Sequence, residues 1–433
     1  MSDDLSFQLK CIDCAKTYSA DQVRYRCDCG SQLDVWHDLA TLKPQISQNL
    51  FNNRVSGAPG PTVIPTAESG VWRYREMILP TLPDQIISRP EGNTRLYQHH
   101  SIAEWAGVDK FYLKHEGENP SGSFKDRGMT VGVTQAKLLG STAVACASTG
   151  NTSASLAAYA SLAGMSAFVF IPSGKIAAGK LAQALAYGAK TLQIEGDFDD
   201  AMHLVQEVCN EMGIYLLNSL NPFRLEGQKS IPLEIIQGFQ WNPPDWVVLP
   251  AGNLGNTSAF GKALYEAKEL GLINKIPRLA CVQATGASPF YQSYQTQFKE
   301  HITMKADTIA TAIRIGNPVS YPRAIRSLEW TNGVVTSVND QQIMDAKAIV
   351  DQAGIGCEPA SAASLAGARR LVEEGVIKPD ETVVGILTGN LLKDPTATVD
   401  YHTGNWAEAK FANAPVKVGA DLDSVRRVIE KEL

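Results

Sequence analysis

The sequence has 433 residues, which is long enough for two or three domains with a sizeable core. Its 39 Lys and Arg residues against 45 Asp and Glu residues give a net charge of only -6, which argues against binding to nucleic acid or to an anionic membrane surface. The acidic first residues carry no signal-peptide pattern, and polar residues interrupt the most apolar stretch, 142–171, so no membrane span is expected. The composition therefore predicts a cytoplasmic protein that acts on small molecules.

Residues 1–40 contain two close pairs of cysteines and predict a small zinc-ribbon-like module. Cys11 and Cys14 form the first pair, and Cys27 and Cys29 form the second. Four thiols in two pairs are typical of a structural zinc site, although the second pair has one intervening residue where a standard knuckle has two. Free thiols in a ribbon without metal are the alternative. Short alternating runs predict strands at 7–9, 23–25 and 33–35.

A connecting region rich in Pro and Gly follows, from residue 41 to about 90. Its composition, including the segment 57–61, predicts a linker that wraps around the body rather than a domain. One helix is expected within it, over residues 72–79.

From residue 94 onward, apolar runs of strand length alternate with helical segments, several of which end at a glycine. This alternation predicts an α/β fold of doubly wound, mostly parallel sheets with helices on both faces. Ligands of such folds bind at the carboxyl ends of the strands, so a site is expected in the loops that follow them. The predicted strands are 111–113, 143–147, 167–171, 191–194, 214–217, 246–249, 279–283, 334–338 and 382–387, and the predicted helices are 153–163, 178–187, 199–212 and 257–270.

A turn-forming stretch, 119–124, precedes Lys125 and a helical segment predicted over 129–139. A lysine at such a junction can be desolvated, which lowers the pKa of its amine and makes it a nucleophile or a base at neutral pH. An ordinary surface lysine is the alternative.

Two loops at predicted strand ends have the composition of anion sites. Six small residues, 148–153, all polar except Gly150, follow one strand and begin a helix, where hydroxyls and free backbone N–H groups bind a carboxylate or phosphate. Helix capping alone needs one such residue, so six in a row favour a ligand. The second loop follows strand 246–249, and its glycines allow backbone N–H groups to surround a phosphate; it contains Gly252, Asn253, Leu254, Gly255 and Asn256.

Two weaker signals follow other strands. Asn218, Ser219 and Arg224 offer an amide, a hydroxyl and a guanidinium for a second phosphate, although a helix start with a surface arginine explains them equally well. The hydroxyl of Thr388 either binds a heterocyclic nitrogen or ends the strand before it. An activated lysine together with a glycine-rich phosphate loop is the combination that pyridoxal phosphate requires.

These motifs resemble those of the fold type II pyridoxal-phosphate enzymes and, within them, the threonine synthase family. The resemblance covers roughly residues 90–395 and rests on the segments 119–128, 148–153 and 251–256. A further segment, 218–229, separates this branch from the dehydratases and cysteine synthases. The cysteine-rich head is similar to that of longer threonine synthases, and Ser121 stands where the family frequently has Thr.

The resemblance implies a reaction and a role for each site residue. O-Phospho-L-homoserine and water would give L-threonine and phosphate, with Lys125 holding the cofactor as a Schiff base and then moving protons at the α and β carbons of the substrate. Asn151 would bind the ring hydroxyl, Thr388 the ring nitrogen, and 252–256 the cofactor phosphate. The expected substrate contacts are Ser148, Thr149 and Thr152 for the carboxylate, and Thr152, Asn218, Ser219 and Arg224 for the phosphate.

The resemblance also implies how the chain is divided. A linker and the first part of a large cofactor-binding domain would occupy 41–135, a small mobile domain 136–240, and the remainder of the large domain 241–433. The small domain would close over the substrate and exclude water, and the enzyme would be a homodimer. Two rival functions stay open: a serine or threonine dehydratase with the same cofactor, and a catalytically weak relative that binds a phosphorylated ligand.

Overall fold

The computed structural model describes residues 7–55, 65–174, 178–406 and 408–433. Within these ranges the chain forms three sheets, named here the module sheet, the large sheet and the small sheet. The predicted α/β class with mostly parallel sheets is confirmed, while the Pro- and Gly-rich segment 57–61 lies outside the described residues. The module sheet is antiparallel, with strands in the order Thr17–Tyr18, Phe7–Cys11 and Leu33–His37.

The large sheet has six strands, of which five run parallel and only the edge strand Leu96–Gln98 is antiparallel. Its central strand Trp246–Pro250 is buried at every residue, as expected for a parallel sheet with helices on both faces. The parallel strands therefore end at one common edge. In spatial order the strands are Val334–Val338, Arg278–Ala284, Trp246–Pro250, Thr382–Leu387, Lys110–His115 and Leu96–Gln98.

The small sheet has four parallel strands in the order Lys190–Ile194, Ser166–Pro172, Ala143–Ala147 and Tyr215–Leu216. The last of these is shorter than the predicted strand 214–217. A side chain replaces the end of its ladder, because the amide of Asn218 both accepts from the Ala147 N–H (2.9 Å) and donates to the Ala147 carbonyl (3.0 Å). The strand therefore ends where the chain begins to line a cavity.

Helices cover both faces of the two parallel sheets, with bounds close to those predicted. No helix in the described part of the chain is both long and apolar enough to cross a membrane. The α-helices are Leu39–Leu42, Gln48–Asn52, Pro65–Glu68, Arg75–Ile78, His100–Ala106, Lys125–Leu138, Asn151–Ala163, Ala178–Ala186, Phe198–Met212, Pro222–Gln228, Ser230–Gly238, Gly255–Glu269, Pro289–Gln295, Tyr321–Thr331, Asp340–Gln352, Pro359–Glu373, Pro395–His402 and Leu422–Glu432. Short 3-10 helices are Lys43–Gln45, Trp72–Tyr74, Pro83–Gln85, Glu116–Glu118, Thr311–Ile313 and Leu391–Lys393.

The cysteine-rich module, residues 7–37, packs on the body. Its apolar side chains Leu9, Leu33 and Val35 are buried in the same hydrophobic cluster as Phe260 and Leu264 of helix Gly255–Glu269. The small module therefore has no core of its own beyond the one that it shares with the large sheet.

One predicted strand of this module, 23–25, is wrong. The segment has no strand geometry, and Thr17–Tyr18 pairs with the first strand instead. The physical reason is that Tyr25 is used for docking: its hydroxyl accepts from the Leu216 N–H (2.8 Å) and its ring lies 5.9 Å from that of Tyr215. Contact with the small sheet replaces strand pairing here.

The connecting region between the module and the body, named here the wrap, is deeply buried in the part where a helix was expected. A 3-10 turn, Trp72–Tyr74, continues into the short helix Arg75–Ile78. Trp72 is fully buried, and its indole N–H donates to the hydroxyl of Thr130 (2.8 Å) on helix Lys125–Leu138. The wrap is therefore part of the core that supports this helix.

A buried group of charges fixes the beginning of helix Lys125–Leu138. Arg127 donates from Nε to Glu116 (2.6 Å) and from Nη2 to Glu234 (2.8 Å), and Lys114 also pairs with Glu234 (2.6 Å). All four side chains are at most 4% exposed. Because the charges are paired and hydrogen-bonded, the arrangement is tolerated in the interior, but removal of one partner leaves an uncompensated charge.

We expect Arg127→Met to lower the free energy of unfolding by about 3–5 kcal/mol, because Glu116 loses its buried cation and Glu234 loses one of two. Denaturant unfolding followed by circular dichroism measures this. Arg369→Met is the matched control, since Arg369 pairs with Glu373 on an exposed helix face and should change stability little. Equal midpoints for the two variants would contradict the role given to Arg127.

Candidate active site

A cavity of about 1360 Å³ lies where strand ends of the large and small sheets face each other. Its walls come from the loops after five parallel strands, among them Lys110–His115 and Ala143–Ala147. The structure brings to this one cavity every residue predicted to bind cofactor or substrate: Lys125, Ser148, Thr149, Asn151, Thr152, Asn218, Ser219, Arg224, Gly252, Asn253, Leu254, Gly255, Asn256 and Thr388.

Lys125 is the first residue of its helix, directly after the predicted turn. The next residue, Asp126, holds that turn in place, because its carboxylate accepts from the N–H and hydroxyl of Ser121 (2.7 and 2.6 Å). Asp126 also accepts from the hydroxyl of Ser155 (2.5 Å) on helix Asn151–Ala163. One buried carboxylate thus joins the lysine turn to the helix that begins at the first anion loop.

The amine of Lys125 lies in an environment that lowers its pKa. Burial, and after it the nearby Arg224 guanidinium, lower its pKa to about 7, while Glu358 opposes the shift. A lysine with a pKa near 7 is partly neutral at neutral pH, and the neutral amine is the form that acts as nucleophile or base. The prediction of an activated lysine is consistent with this environment.

The first anion loop leads into helix Asn151–Ala163. Gly150 occupies its N-cap position and no described side chain caps this helix, so its first backbone N–H groups, in residues that line the cavity, have no capping oxygen. Ser148 accepts from the Gly150 N–H (3.2 Å), while Thr149 and Thr152 are half-buried. The positive end of the helix and these hydroxyls can hold a carboxylate.

The glycine loop, residues 252–256, leads into helix Gly255–Glu269. Leu254, its N-cap residue, has φ 63°, a left-handed conformation that is uncommon for Leu and that turns successive N–H groups toward one side. At Gly252 a Cβ atom would lie 3.0 Å from Ile313 Cα, so only glycine fits without a shift. Asn253 accepts from the Val319 N–H through its side chain (3.3 Å), and no described residue makes a hydrogen bond to the buried Oδ1 of Asn256.

Arg224 lies on helix Pro222–Gln228, named here the phosphate-binding helix. Its Nη1 donates to the Leu217 carbonyl (3.0 Å), its buried Nε has no partner, and no ion pair to it is found among the described residues. Burial lowers its pKa to about 10. A buried guanidinium without a carboxylate is costly for stability and indicates a binding site for an anion.

A glycine-mediated crossing brings Arg224 to Lys125. A Cβ atom at Gly227 would lie 1.8 Å from the Arg127 carbonyl oxygen, and one at Gly128 would lie 2.6 Å from the Arg224 carbonyl oxygen. The backbones of the lysine helix and the phosphate-binding helix therefore touch. The sequence contained both glycines, but their pairing appears only in the structure.

Asn218 and Ser219 differ in their freedom to bind a ligand. The Asn218 amide is occupied by its two hydrogen bonds to Ala147, so it primarily holds the loop. Ser219 is half-buried and lines the cavity.

Three residues of the site were missed by sequence analysis. Glu358 is buried, which raises its pKa, and it accepts hydrogen bonds from Asn151 (3.1 Å) and Thr388 (3.1 Å). Ser361 lies 2.9 Å from the Thr388 hydroxyl, and Lys393 lines the cavity and donates to the Gln183 side chain. The available signal was a glutamate directly before the proline that begins helix Pro359–Glu373, in an otherwise apolar segment.

The cavity fits pyridoxal phosphate on its own chemistry. Within the part of the chain that the structure describes, three buried polar atoms beside the cavity have no hydrogen-bond partner: Arg224 Nε, Asn256 Oδ1 and Gln228 Oε1. Such orphaned groups are rare in protein interiors unless they face a ligand. A lysine of lowered pKa beside a glycine loop matches a ligand that carries an aldehyde and a phosphate, and the unpaired donor of Arg224 is left for a second anion.

The four cysteines of the module fit a tetrahedral metal ion. Their Sγ atoms all lie within 4.8 Å of one another, with Cys11 and Cys29 3.6 Å apart and Cys14 and Cys27 3.5 Å apart. Thiolates at about 2.3 Å from a tetrahedral zinc ion are about 3.8 Å apart, so the set needs little adjustment. The set lies outside the lining of the active-site cavity.

Comparisons with known proteins agree with this geometry. A family model described as pyridoxal-phosphate dependent enzyme matches residues 87–389. The threonine synthase of Methanocaldococcus jannaschii is 43% identical, covering 98% of this chain and 99% of the relative. The threonine synthase of Methanosarcina acetivorans is 44% identical, covering 98% of each chain.

Solved structures share the fold. Threonine synthase from Escherichia coli has a TM-score of 0.68 at 17% identity, covering 98% of this chain and 100% of that chain. Maize serine racemase has a TM-score of 0.60 at 22% identity, covering 79% and 92%. With the near full-length relatives above, the comparisons lead to one assignment: this chain belongs to the threonine synthase family of pyridoxal-phosphate-dependent enzymes.

Proposed function

We propose that this enzyme converts O-phospho-L-homoserine and water into L-threonine and phosphate. The observation that carries the proposal is the buried guanidinium of Arg224, which has no acidic partner among the described residues and lies in the same cavity as Lys125. A dehydratase acting on serine or threonine has no phosphate on its substrate to occupy such a group. The threonine synthase names of the near full-length relatives support the same reaction.

Bound pyridoxal phosphate supplies an electron sink for the substrate carbon atoms that lose protons. Lys125 would hold it, with the glycine loop 252–256 around its phosphate, Asn151 at the ring hydroxyl and Thr388 at the ring nitrogen. Thr388 contacts the carboxyl group of Glu358, and the raised pKa of that group favours its uncharged form. The polar side of the ring would therefore meet hydroxyl and neutral carboxyl groups.

Lys125 is also the candidate for proton transfer, because its pKa near 7 lets it both accept and donate a proton at neutral pH. Ser148, Thr149 and Thr152 would orient the substrate carboxylate at the start of helix Asn151–Ala163. Arg224, with Ser219 beside it, would bind the substrate phosphate and stabilise the charge that develops as phosphate leaves. Asn218 would keep this loop in position.

We propose that residues 136–240, which contain the small sheet, form a small domain, and that 41–135 and 241–433 together form the large domain. The small domain would close on the large domain over the bound substrate. The cavity lies between strand ends of the two sheets, so a small rotation of one toward the other would exclude water.

For the module 1–40, we propose a structural zinc ion on Cys11, Cys14, Cys27 and Cys29. The homodimer and the cytoplasmic location stay predictions.

The first test is turnover. Purified protein with pyridoxal phosphate and O-phospho-L-homoserine should release threonine and phosphate in equal amounts, and Lys125→Ala should abolish both this activity and the visible absorbance of the lysine-bound cofactor. Lys137→Ala, on an exposed turn of the same helix, is the control and should behave as the unmodified chain. Release of ammonia and a keto acid from serine or threonine, without phosphohomoserine turnover, would instead favour the dehydratase.

Arg224→Gln should reduce kcat/KM for phosphohomoserine. The corresponding loss of transition-state stabilisation should be about 2–5 kcal/mol, the range for loss of one partner from a desolvated charge pair. At a pH well above the pKa of Lys125, cofactor absorbance and affinity should stay unchanged, because the cofactor phosphate is assigned to the glycine loop. Arg426→Gln on the exposed C-terminal helix provides the control. Loss of cofactor together with activity would mean that Arg224 binds the cofactor phosphate and not the substrate phosphate.

The rate at which the cofactor-free enzyme binds pyridoxal phosphate should rise with pH, with a midpoint near the pKa of about 7 for Lys125. The sign follows because only the neutral amine attacks the aldehyde, and it predominates above that pKa. Arg224→Gln should move the midpoint upward, since removal of a neighbouring cation makes protonation of Lys125 easier. Stopped-flow absorbance measures both, and a profile that is flat between pH 6 and 9 would refute the assignment.

A further inference from the structure

The cysteine-rich module touches the phosphate-binding helix on the face opposite the active site. His37 Nε2 lies 2.8 Å from Glu226 Oε2, and both side chains are at most 3% exposed. Glu226 follows Arg224 by two positions, and residues two apart on an α-helix point to roughly opposite sides. The helix that presents Arg224 to the cavity therefore has its outer face against the module.

Glu226 is the centre of a balanced charge cluster. It pairs with Lys229 (2.6 Å) and with Lys262, and Glu266 also pairs with Lys229 (2.6 Å). Two carboxylates thus face two ammonium groups, and burial lowers the pKa of His37, which favours the neutral imidazole. Because a carboxylate only accepts, the neutral ring donates its Nε2–H to Glu226.

Lys262 connects the same cluster to the backbone of the module, since its ammonium also donates to the Val35 carbonyl. Two successive inward positions of strand Leu33–His37, Val35 and His37, are therefore bound to groups that hold the phosphate-binding helix.

A second contact connects the module to the glycine loop. Gln32 donates from its side-chain amide to the Val319 carbonyl, and the Val319 N–H donates to the side chain of Asn253 (3.3 Å). The Ser320 N–H also donates to the Asn253 carbonyl (3.1 Å). The module thus reaches the proposed cofactor-phosphate loop through one intervening segment.

The Gln32 contact originates close to the thiol cluster, and the strand Leu33–His37, which carries His37, pairs with Cys11 through Leu33. Gln32 follows Cys29 by three positions and pairs in a β-bridge with Arg26, the residue before Cys27. Arg26 itself lines the active-site cavity. A metal ion that holds the four thiolates together would thereby also fix the segment from which the two anion sites are supported.

We propose that the cysteine-rich module is a brace for the two anion-binding segments of the active site, with His37 and Gln32 as positioning residues, so that metal loading of the module and anion binding in the cavity strengthen each other. The inference rests on the proposed role of Arg224. Its physical basis is reciprocity: if the metal and the anion both favour one position of the phosphate-binding helix, each must increase the affinity for the other.

The first experiment measures binding of inorganic phosphate to the full chain, loaded with cofactor, by calorimetry. His37→Leu should weaken phosphate binding by about 3- to 30-fold, the range for mutations that alter coupling without touching the ligand. His37→Gln, which retains a donor toward Glu226, should restore most of the affinity. Trp36→Ala is the matched control, because Trp36 lies on the solvent face of the same strand.

Unchanged cofactor absorbance in His37→Leu would show that the variant keeps its fold and its cofactor site. Gln32→Leu provides a second variant if His37→Leu does not fold, and it should loosen the cofactor instead, seen as a higher dissociation constant for pyridoxal phosphate. Phosphate affinities equal in His37→Leu and Trp36→Ala would overturn the brace. Turnover by the unmodified enzyme is measured separately, so failure of the brace is distinguishable from failure of the proposed function.

The second experiment follows release of zinc to a chromogenic chelator from the chain loaded with both zinc and cofactor, so that the glycine loop is already occupied. Inorganic phosphate should slow release compared with chloride at the same ionic strength, and Arg224→Gln should abolish this protection while still binding zinc. Equal protection in both proteins would mean that phosphate acts outside the cavity and would overturn the coupling. A purified chain that takes up no zinc would overturn it as well.

Discussion

The buried ion pairs of Arg127 constrain the beginning of the lysine helix, and the active site depends on that constraint. Arg127 connects the end of a large-sheet strand, through Glu116, to helix Ser230–Gly238, through Glu234. Because Arg127 is two residues from Lys125, any shift of the lysine would separate charges that have no access to water. Asp126, between them, fixes the preceding turn. The reactive amine is therefore carried by a rigid element, as precise catalysis requires.

The two faces of the phosphate-binding helix differ in whether their buried charges are paired. On the outer face Glu226 is surrounded by lysines and a neutral histidine, so the charges are balanced within the protein. On the inner face Arg224 is buried without an acidic partner among the described residues. The inner arrangement costs stability and the outer one supports it, which is the pattern expected when strain is retained at a functional site and compensated by its surroundings.

The site is made from loops far apart in sequence because parallel strands place their carboxyl ends at one edge. Lys125, Asn151, Arg224 and Thr388 each follow a different strand and meet in one cavity. Burial at that cavity then lowers the pKa of Lys125 and raises that of Glu358, which favours the uncharged form of both side chains. The module and the wrap add support from outside the cavity, through His37, Gln32 and the buried Trp72.

The sequence by itself determined the alternation of strands and helices, the lysine turn, both anion loops and the family, because periodicity, turn residues and motif spacing are local properties. The tertiary structure alone decided what depends on contacts between distant segments. It placed Glu358 and Ser361 at Thr388, used Tyr25 for docking where a strand was predicted, and occupied the Asn218 amide with the Ala147 backbone. It also left the Arg224 guanidinium without a carboxylate partner in the described ranges of the chain, since the absence of a nearby carboxylate is a property of packing that no local pattern encodes.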